Sequence, residues 1–495
     1  MFASLGLDLP TGILLCLALL LALSFEFVNG FHDTANAVAT VIYTNSLKPT
    51  QAVVWSGLWN LIGVLTSSGA VAFGIVALLP VELVINVGSG AGFAMVFSLL
   101  LSAIIWNLGT WYLGLPASSS HTLIGSIVGV GLMNSLLSPD SAFGDGVNWA
   151  KVGDTVKALL FSPLIGFVAA GALLLLAKAL LRNPALFKAP EGKAPPPGWI
   201  RALLVFTCTG VSFAHGSNDG QKGMGLIVLI LVGIVPAGFA LNLQTSAAAL
   251  DQIRGAGAAF EQSLQKSGVN PSPQDDIDAN KILTTYLRKG AIAPETMPAL
   301  QAVNRRVMAE LADIHDLAVI PGAQRRILRL NIYLVQETLA KMIKAKTVPA
   351  TLDTDALAGY QKNLKGVTSF IPVWVKVAIA LALGLGTMVG WKRIVVTVGE
   401  KIGKAHLTYG QGAAAEIVAF GTIEAADLLG LPVSTTHILS SGIAGTMVAN
   451  GSGIQGPTVR NIILAWVLTL PVCVILGAAL FGAGLLVVFR VLGMH

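Results

Sequence analysis

Two short polar clusters lie inside sequence that is otherwise strongly apolar. Residues 30–36 have the sequence Gly-Phe-His-Asp-Thr-Ala-Asn, and residues 216–222 have the sequence Gly-Ser-Asn-Asp-Gly-Gln-Lys. Each cluster places an aspartate, Asp33 or Asp219, at a position where the surrounding hydropathy predicts a membrane. A carboxylate at membrane depth is costly unless it faces a cavity, a cation or a polar partner. These clusters, the aspartate motifs, therefore predict a duplicated functional site.

Two proline-containing clusters, the proline motifs, repeat more closely. Residues 113–121 (Leu-Gly-Leu-Pro-Ala-Ser-Ser-Ser-His) and 429–437 (Leu-Gly-Leu-Pro-Val-Ser-Thr-Thr-His) are identical at six of nine positions, and two more positions exchange Ser for Thr. Proline is favoured in the first turn of a helix, where free N–H groups and the helix dipole attract anions. The hydroxyls that follow would complete a cradle for a tetrahedral oxyanion: Ser118, Ser119, Ser120, Ser434, Thr435 and Thr436. The alternative interpretation is that they are ordinary helix caps in helix–helix contacts.

The two aspartates need another role, because they would repel a bare oxyanion. We expect Asp33 and Asp219 to bind the driving cation or to carry a proton; the alternative is helix capping. Five more titratable residues are candidates for coupling or proton relay: His32, His121, Lys222, His437 and Glu416. Their alternatives are interhelical hydrogen bonds for the histidines, snorkelling for the lysine and a structural charge pair for the glutamate. Two further acids, nearer a helix end, are predicted to be solvated: Glu424 and Asp427.

Composition predicts a membrane protein with many helical spans. Of the 495 residues, 54% are hydrophobic and only 11% are charged, too few to cover a soluble protein of this size. Apolar segments of about 18 or more residues recur and predict a polytopic all-α fold. The net charge of +6 lies mostly in loops, so nucleic-acid binding is not predicted. Residues 1–10 lack Lys and Arg, so we expect the first apolar run to be a retained span.

The order of apolar and polar segments divides the chain into five regions. They are a first membrane repeat (1–181), a basic connector (182–201), the start of a second repeat (202–243), a soluble, largely helical insert (244–369) and the rest of the second repeat (370–495). We expect roughly 10–12 membrane segments, with broken, re-entrant or half-length helices. Unwound backbone is predicted at both aspartate motifs. The connector and the insert are both predicted to be cytoplasmic from their basic residues, although long loops follow this rule poorly.

The two halves repeat the motifs in the same order. Asp33 and Asp219 are 186 positions apart, whereas His121 and His437 are 316 apart. The difference of 130 positions is close to the length of the insert, which therefore belongs to the second half only. Repeats with interrupted segments at matching positions are typical of secondary transporters with a site near the bilayer midplane. Hydropathy leaves open whether the halves are inverted or parallel.

In this order, the four motifs resemble the inorganic phosphate transporter (PiT) family, and most closely its bacterial low-affinity phosphate permeases. The resemblance covers essentially the whole membrane portion. It implies an inverted-repeat transporter that moves phosphate together with a cation. It also implies that the aspartates and the hydroxyl-rich turns form one substrate site: Asp33, Asn36, Asn218 and Asp219, with Ser118, Ser119, Ser120, Ser434, Thr435 and Thr436.

Departures from the family pattern indicate which cation drives transport. Sodium-coupled members have Gly-x-Asn-Asp-x-x-Asn in both halves, whereas His32 replaces the first Asn in one half here and Lys222 replaces the last Asn in the other. Asn60 stands where animal sodium-coupled members have a glutamate. These changes remove plausible sodium ligands, so the resemblance implies a proton symporter with His32 and Asp33 as the titrating groups. It also implies that phosphate can travel as a neutral complex with a divalent metal such as Mg²⁺.

The sequence therefore predicts a secondary active phosphate importer in a bacterial cytoplasmic (inner) membrane, and not an enzyme. No Walker-type phosphate-binding loop is present, and the three cysteines lie singly without metal-ligand spacing, so no resident cofactor or metal site is expected. The expected partners are inorganic phosphate and the lipid bilayer, and a homo-oligomer is left open. The alternatives are sodium coupling, another oxyanion such as sulfate, and an intramembrane phosphohydrolase that uses His32, Asp33 and Ser119.

Overall fold

The computed structural model describes residues 7–79, 88–138, 141–181, 183–269, 273–491 and 493. Throughout these ranges the regular structure is helical, and one isolated β-bridge joins Gly403 to Ile454. In chain order the α-helices are α1 (Leu9–Asp33), α2 (Ala35–Tyr43), α3 (Pro49–Thr66), α4 (Ala70–Val76), α5 (Gly90–Tyr112), α6 (Ser119–Leu137), α7 (Trp149–Leu180), α8 (Gly198–Ile234), α9 (Pro236–Phe239), α10 (Ala247–Lys266), α11 (Pro273–Lys289), α12 (Thr296–Leu311), α13 (Gly322–Ala345), α14 (Thr354–Thr368), α15 (Val373–Thr387), α16 (Lys392–Glu400), α17 (Tyr409–Leu428), α18 (Thr435–Ala449) and α19 (Gly456–Leu486). The predicted all-α fold is confirmed.

Buried apolar side chains form three separate clusters. One cluster joins α1, α5, α6, the second half of α8 and α15, and another joins α2, α16, α17, α18 and the first half of α8. The third lies in helices α10–α14 and contains the buried Tyr360, whose hydroxyl donates to Asn304 Oδ1 at 2.7 Å. The insert thus has a core of its own. The exact boundaries of the five predicted regions stay predictions.

Fewer helices look like simple membrane spans than the roughly 10–12 predicted segments. By length and hydropathy, five described helices could cross a membrane, or up to seven if each of two bent helix pairs is one span. The bent pairs are α3 with α4, at 77°, and α14 with α15, at 74°. Helices α8 and α17 are not among the five, because the polar residues of both helices lower their hydropathy. A hydropathy test therefore does not count helices of the bundle that carry several polar residues.

Both aspartate motifs lie in helical backbone, so the predicted unwinding there is wrong. Helix α1 continues to Asp33, and only Thr34, itself in a helical conformation, separates it from α2. Helix α8 runs without interruption through residues 216–222. The glycines of these motifs serve close packing instead. A Cβ at Gly30 would lie 2.3 Å from the carbonyl oxygen of Leu383, and one at Gly216 would lie 2.1 Å from that of Asn60.

The helices break at the proline motifs, which form the tips of two helical hairpins. Hairpin α5–α6 turns at Gly114 and hairpin α17–α18 turns at Gly430, both with positive φ (69° and 63°), a conformation that favours glycine at the end of a helix. Ser118 and Ser434 are then the N-caps of α6 and α18. Each proline therefore lies before the cap and not in the first helical turn as predicted.

The connector and the insert lie at opposite ends of the bundle. Helix α8 begins next to the connector and ends next to the insert, and its 37 residues make it about 55 Å long, well beyond the roughly 30 Å of a hydrocarbon core. Helix α7 also connects the two ends of the bundle: Asp154 near its start pairs with Lys344 of the insert at 2.5 Å, and Lys178 near its end bonds to Asn450. The side of the membrane on which each region lies stays a prediction, and their separation by the length of α8 bears on it.

Candidate functional site

The four motifs converge on one buried cluster around Ser119, the first residue of α6. Its hydroxyl lies 3.3 Å from Asp33 Oδ2 at the end of α1 and 3.3 Å from Asp219 Oδ2 in the middle of α8. Thr436, in the first turn of α18, donates to Asp33 Oδ1 at 2.5 Å. Both aspartates are almost fully buried. Because a hydroxyl has one proton, Ser119 can donate to only one of the two carboxylates at a time.

One asparagine of each aspartate motif, Asn36 or Asn218, bonds to the tip of hairpin α17–α18. Asn36 Nδ2 lies 3.3 Å from Thr435 Oγ1 and 2.9 Å from Thr436 Oγ1. Asn218 Nδ2 donates to the carbonyl of Leu431 at 3.2 Å. The Oδ1 atoms of both asparagines and of Asp219 are buried and have no hydrogen-bond partner within the described part of the chain. These free acceptors fit a cation or the protonated oxygens of an oxyanion.

The six predicted hydroxyls have three different roles. Ser118 and Ser434 cap their helices and accept from the backbone N–H of His121 at 3.2 Å and of His437 at 3.1 Å. Ser120 donates to the carbonyl of Val433 at 2.7 Å and so ties the two hairpin tips together. The other three contact the aspartates or Asn36: Ser119, Thr435 and Thr436. The capping interpretation thus holds for two residues and not for the central ones.

Lys222 places a positive charge inside the cluster. Its Nζ lies 2.8 Å from Asp219 Oδ2 and 3.1 Å from the Ser119 hydroxyl, and the side chain is fully buried. It does not snorkel to the interface. An ammonium group beside two helix N-termini makes the cluster suitable for an anion despite its two carboxylates.

His215 is a central residue that was not predicted. Its Nε2 lies 3.5 Å from Asp219 Oδ2 and 3.7 Å from Asp33 Oδ2, and its Nδ1 lies 2.9 Å from Asn60 Oδ1. Ligand atoms of Asp33, His215 and Asp219 all lie within 4.8 Å of one another and could hold a metal ion, although no metal ligands were predicted. The available signal was the four-residue spacing from His215 to Asp219, which puts both on one face of α8.

Comparison with known proteins matches residues 29–477 to the phosphate transporter family. The chain belongs to the phosphate transporter family. It is 43% identical over 495 residues to "Low-affinity inorganic phosphate transporter PitB" of Escherichia coli (strain K12), with 96% of this chain and 97% of that protein covered. The identity to PitA of the same strain is also 43%, with the same coverage. The relatives are named as transporters, which confirms the predicted family and the prediction that the chain is not an enzyme.

A more distant relative and a solved structure show the same relationship. A "Probable low-affinity inorganic phosphate transporter" of Bacillus subtilis (strain 168) is 26% identical, with 94% of this chain and 96% of that protein covered. The structure titled "The sodium-dependent phosphate transporter" has a TM-score of 0.51 and 20% identity, with 95% of this chain and 98% of that chain covered. That likeness shows that the two proteins share a fold.

The three histidines predicted to take part in coupling, His32, His121 and His437, lie at the edge of the cluster. His32 Nδ1 is 3.4 Å from Asp33 Oδ1, and its Nε2 is 3.1 Å from Thr110 Oγ1. His121 and His437 face each other below the hairpin tips with ring centroids 4.8 Å apart, and His437 stacks on Trp466 at 4.1 Å. His121 Nδ1 and His437 Nε2 have no hydrogen-bond partner in the described residues. The structure brings His32 into contact with an aspartate and places the other two beside the cluster.

Glu416 is buried away from the cluster in this transporter. It accepts hydrogen bonds from Thr40 of α2 and Thr207 of α8, and its own helix is α17. It therefore bonds to two other helices without touching the aspartates. Asp427 was predicted to be solvated and is instead buried, since Ser217 donates to it at 2.7 Å and Gln221 at 2.5 Å. The prediction for Asp427 is wrong because its helix end packs against α8.

Proposed function

We propose that this member of the phosphate transporter family imports inorganic phosphate by proton symport across a bacterial cytoplasmic (inner) membrane. The observation that supports this most directly is the buried cluster in which Asp33 and Asp219 share the Ser119 hydroxyl beside Lys222. The names of its bacterial relatives support phosphate as the substrate. No resident cofactor is needed, because the membrane potential supplies about 2.3 kcal/mol per charge and 100 mV.

Phosphate would bind at the tips of the two hairpins. The first turns of α6 and α18 offer free N–H groups and the hydroxyls of Ser119, Thr435 and Thr436. Lys222 would supply the positive charge that a dianion or monoanion requires. Protonated phosphate oxygens could donate to the free Oδ1 atoms of Asn36 and Asn218. The substrate would thus replace its hydration shell with donors and acceptors from both repeats.

A proton bound to the cluster can reduce the repulsion between the Asp33 and Asp219 carboxylates, a role that a sodium ion would otherwise have. Ser119 satisfies only one carboxylate at a time, so a proton on the cluster would relieve repulsion between Asp33 and Asp219. His215 lies within 3.7 Å of both and is suited to receive and pass on that proton. Lys222 already occupies one side of Asp219. Each transport cycle would therefore load a proton on this group together with phosphate.

Sodium coupling remains the second candidate, and one observation favours it. The ligand atoms of Asp33, His215 and Asp219 are close enough to hold a metal ion, and a protein of the same fold is titled sodium-dependent. The same carboxylates suit a divalent cation such as Mg²⁺, which would enter as cargo in a neutral metal–phosphate complex. Sulfate as an alternative substrate is separated from phosphate by competition for uptake.

The transport experiment uses the purified full-length protein in proteoliposomes. Labelled phosphate uptake is measured with a proton gradient, a sodium gradient or magnesium imposed separately. We expect uptake to follow the proton gradient, to stop when a protonophore collapses it and to persist without sodium. Uptake that requires sodium and survives the protonophore would contradict proton symport. Competition by arsenate but not by sulfate is expected.

The orientation of the insert also belongs to this proposal. Loops of the connector face touch one another: Asn45 Nδ2 donates to the Gly192 carbonyl at 3.1 Å, and the Tyr409 N–H to the Lys188 carbonyl at 3.4 Å. The described segments 44–48, 178–181, 183–201, 391–408 and 450–460 at this face contain many basic residues and only two acids, Glu191 and Glu400. The positive-inside rule then places this face in the cytoplasm. The insert, at the other end of α8, would face the periplasm and not the cytoplasm as first predicted.

Labelling of single cysteines tests this orientation. In a chain whose three native cysteines are replaced, Ile277→Cys puts a thiol at an exposed position of the insert, and Lys193→Cys puts one on the connector. A membrane-impermeant maleimide should label the first in intact spheroplasts and the second only after permeabilisation. The reverse pattern would place the insert in the cytoplasm.

A further inference from the structure

A cleft lined by basic and aromatic side chains lies beside the tip of hairpin α5–α6, outside the cluster around Ser119. Its volume is about 650 Å³, and its walls include Trp111, Trp391, Lys392, Arg393 and Lys401. None of these residues takes part in the cluster around Ser119. The cleft combines three cations with two indole rings, and the proposed transport mechanism uses none of them.

The cleft lies close to the connector face of the bundle. Helix α16 begins at Lys392 and ends at Glu400, so its nine residues span about 12 Å. Its last residues contact the loop before α19, where Gln455 Nε2 lies 3.3 Å from the Glu400 carbonyl and 2.8 Å from that of Gly403. That loop belongs to the connector face. The cations of the cleft are thus within about 12 Å of the loop layer, where lipid headgroups and Trp side chains concentrate.

The positive charges of the cleft are not neutralised by the protein. Arg393 lies over the rings of Trp111 at 5.2 Å and Tyr112 at 4.9 Å and donates to the Tyr112 carbonyl at 2.8 Å. Lys392 and Lys401 are exposed, and neither forms an ion pair with any described residue. An anion in the cleft would therefore meet two unpaired ammonium groups and one guanidinium.

The surface next to the cleft is apolar. Tyr112 and Leu113 are 65% and 69% exposed at the tip of the hairpin. Contact with this apolar surface would not stabilise a bound soluble anion, whereas an acyl chain would bury it. The pairing of a basic cleft with an exposed apolar edge fits a molecule with an anionic head and a hydrocarbon tail.

We propose that the cleft binds the phosphate headgroup of an anionic phospholipid such as phosphatidylglycerol. Lys392 and Lys401 would hold the phosphate, the indoles of Trp111 and Trp391 would enclose the glycerol region, and the acyl chains would lie along Tyr112 and Leu113. Basic pockets between membrane helices at the cytoplasmic leaflet are typical sites of this kind.

Three hydrogen bonds in the wall of the cleft join the segment 390–397 to the tip of hairpin α5–α6, which also carries Ser119. Trp111 Nε1 donates to the Gly390 carbonyl at 2.7 Å, Arg393 bonds to Tyr112 as above, and Thr397 Oγ1 donates to the Gly114 carbonyl at 2.8 Å. Gly114 is only five positions before Ser119. A bound lipid would thus hold the hairpin tip that presents Ser119 to phosphate.

The test compares lipid binding by two double variants of the full-length protein. Lys392→Gln with Lys401→Gln removes two cleft charges that make no described ion pair, and Lys188→Gln with Lys193→Gln removes two exposed charges of the same face outside the cleft. Each protein is reconstituted in nanodiscs of phosphatidylcholine with or without phosphatidylglycerol, and lipid retained after delipidation is measured by native mass spectrometry. The cleft variant should lose about 5-fold affinity per lysine, roughly 25-fold in all. The control variant should retain lipid as the native protein does.

Two further arms make each outcome decisive. Thermal unfolding in phosphatidylcholine is measured for the native protein and for the cleft variant, with and without inorganic phosphate or glycerol phosphate. A stabilisation by either anion that the cleft substitutions abolish would overturn the lipid assignment in favour of a soluble anion, whereas a stabilisation that both proteins share comes from the transport site and leaves the assignment standing. Equal lipid retention by both double variants would also overturn it. If the cleft variant is unstable in detergent, the single substitution Lys401→Gln replaces it, and unchanged retention there contradicts the proposal.

Discussion

Lys222 offers the sharpest test of the proposal that this transporter works without sodium. Its ammonium lies 2.8 Å from Asp219 and 3.1 Å from Ser119, without solvent contact. We predict that Lys222→Asn, which introduces the residue of sodium-coupled members, weakens phosphate uptake and makes it responsive to sodium. In this variant the positive charge beside Asp219, which Lys222 supplies in the native protein, would have to come from a bound ion.

The size of the effect follows from the contacts that are lost. A hydrogen bond to a charged group contributes about 1.5–3 kcal/mol, which corresponds to about 10- to 150-fold in apparent phosphate affinity. Leaving Asp219 buried without a counter-charge would cost about 3–5 kcal/mol, unless the carboxyl takes up a proton or binds sodium. The loss should therefore be smaller at acidic pH and with sodium present.

The assay is the concentration dependence of phosphate uptake in proteoliposomes, with sodium or with choline as the external cation. Lys344→Asn is the matched control, because that lysine pairs with Asp154 at the surface with its side chain 58% exposed; such pairs contribute about 0–1 kcal/mol. Native affinity of the Lys222→Asn protein without sodium would refute a role of the ammonium in binding. Weak uptake that sodium does not improve would refute the idea that the ammonium stands in for an ion.

Three further predictions concern packing, coupling and the insert. Gly216→Ala should destabilise the protein by roughly 3 kcal/mol or more, because its Cβ would lie 2.1 Å from the Asn60 carbonyl oxygen. The control Gly421→Ala, with no atom within 4 Å of the new Cβ, should be neutral or stabilising by up to about 1 kcal/mol. Thermal unfolding measures both effects. Glu416→Gln keeps an acceptor for its threonine donors, so the protein should fold while the pH dependence of phosphate uptake changes; an unaltered pH profile would assign Glu416 a structural role. Burial raises the pKa of Glu337 in the insert, so the folded state holds its proton more tightly, and stability should fall as pH rises from about 4.3 through the raised value. Glu337→Gln should flatten that part of the Tm-versus-pH curve, and an unchanged curve would contradict the assignment.

The duplicated site could be predicted from sequence because its residues are strong exceptions to their surroundings. Asp33 and Asp219 are carboxylates in apolar sequence, and the proline motifs repeat almost exactly in type and spacing. The structure brings those four motifs together, as a shared site requires. The sequence does not show which residue of each motif faces the cluster. Ser118 and Ser119 are adjacent and identical, yet one caps a helix and the other contacts both acids.

Helical continuity and topology were harder to predict, for a physical reason. Glycine in an apolar segment indicates either a break or a close helix contact, and only the neighbouring helix decides between them. At Gly30 and Gly216 the neighbour is a backbone carbonyl that leaves no room for a side chain, so the helix continues. That continuity in α8 puts the connector and the insert at opposite ends of one helix, which the charge of each loop taken alone could not show.

The halves of the site are alike in backbone and unlike in charge. Aligned on Asp33 and Asp219, the second aspartate motif has Lys222 where the first has Asn36, and His215 where the first has Asn29. Both cationic or protonatable groups that contact the Asp219 carboxylate therefore come from α8. Among the described residues, Asp33 has no lysine partner and contacts His32, the Ser119 hydroxyl and the Thr436 hydroxyl. A fully symmetric site would need two separate ions to balance two carboxylates. Here Lys222 of the chain itself pairs with Asp219. We therefore predict that a single exchangeable cation is enough to complete the site and that it neutralises Asp33, so Asp33→Asn should abolish the dependence of phosphate uptake on that cation.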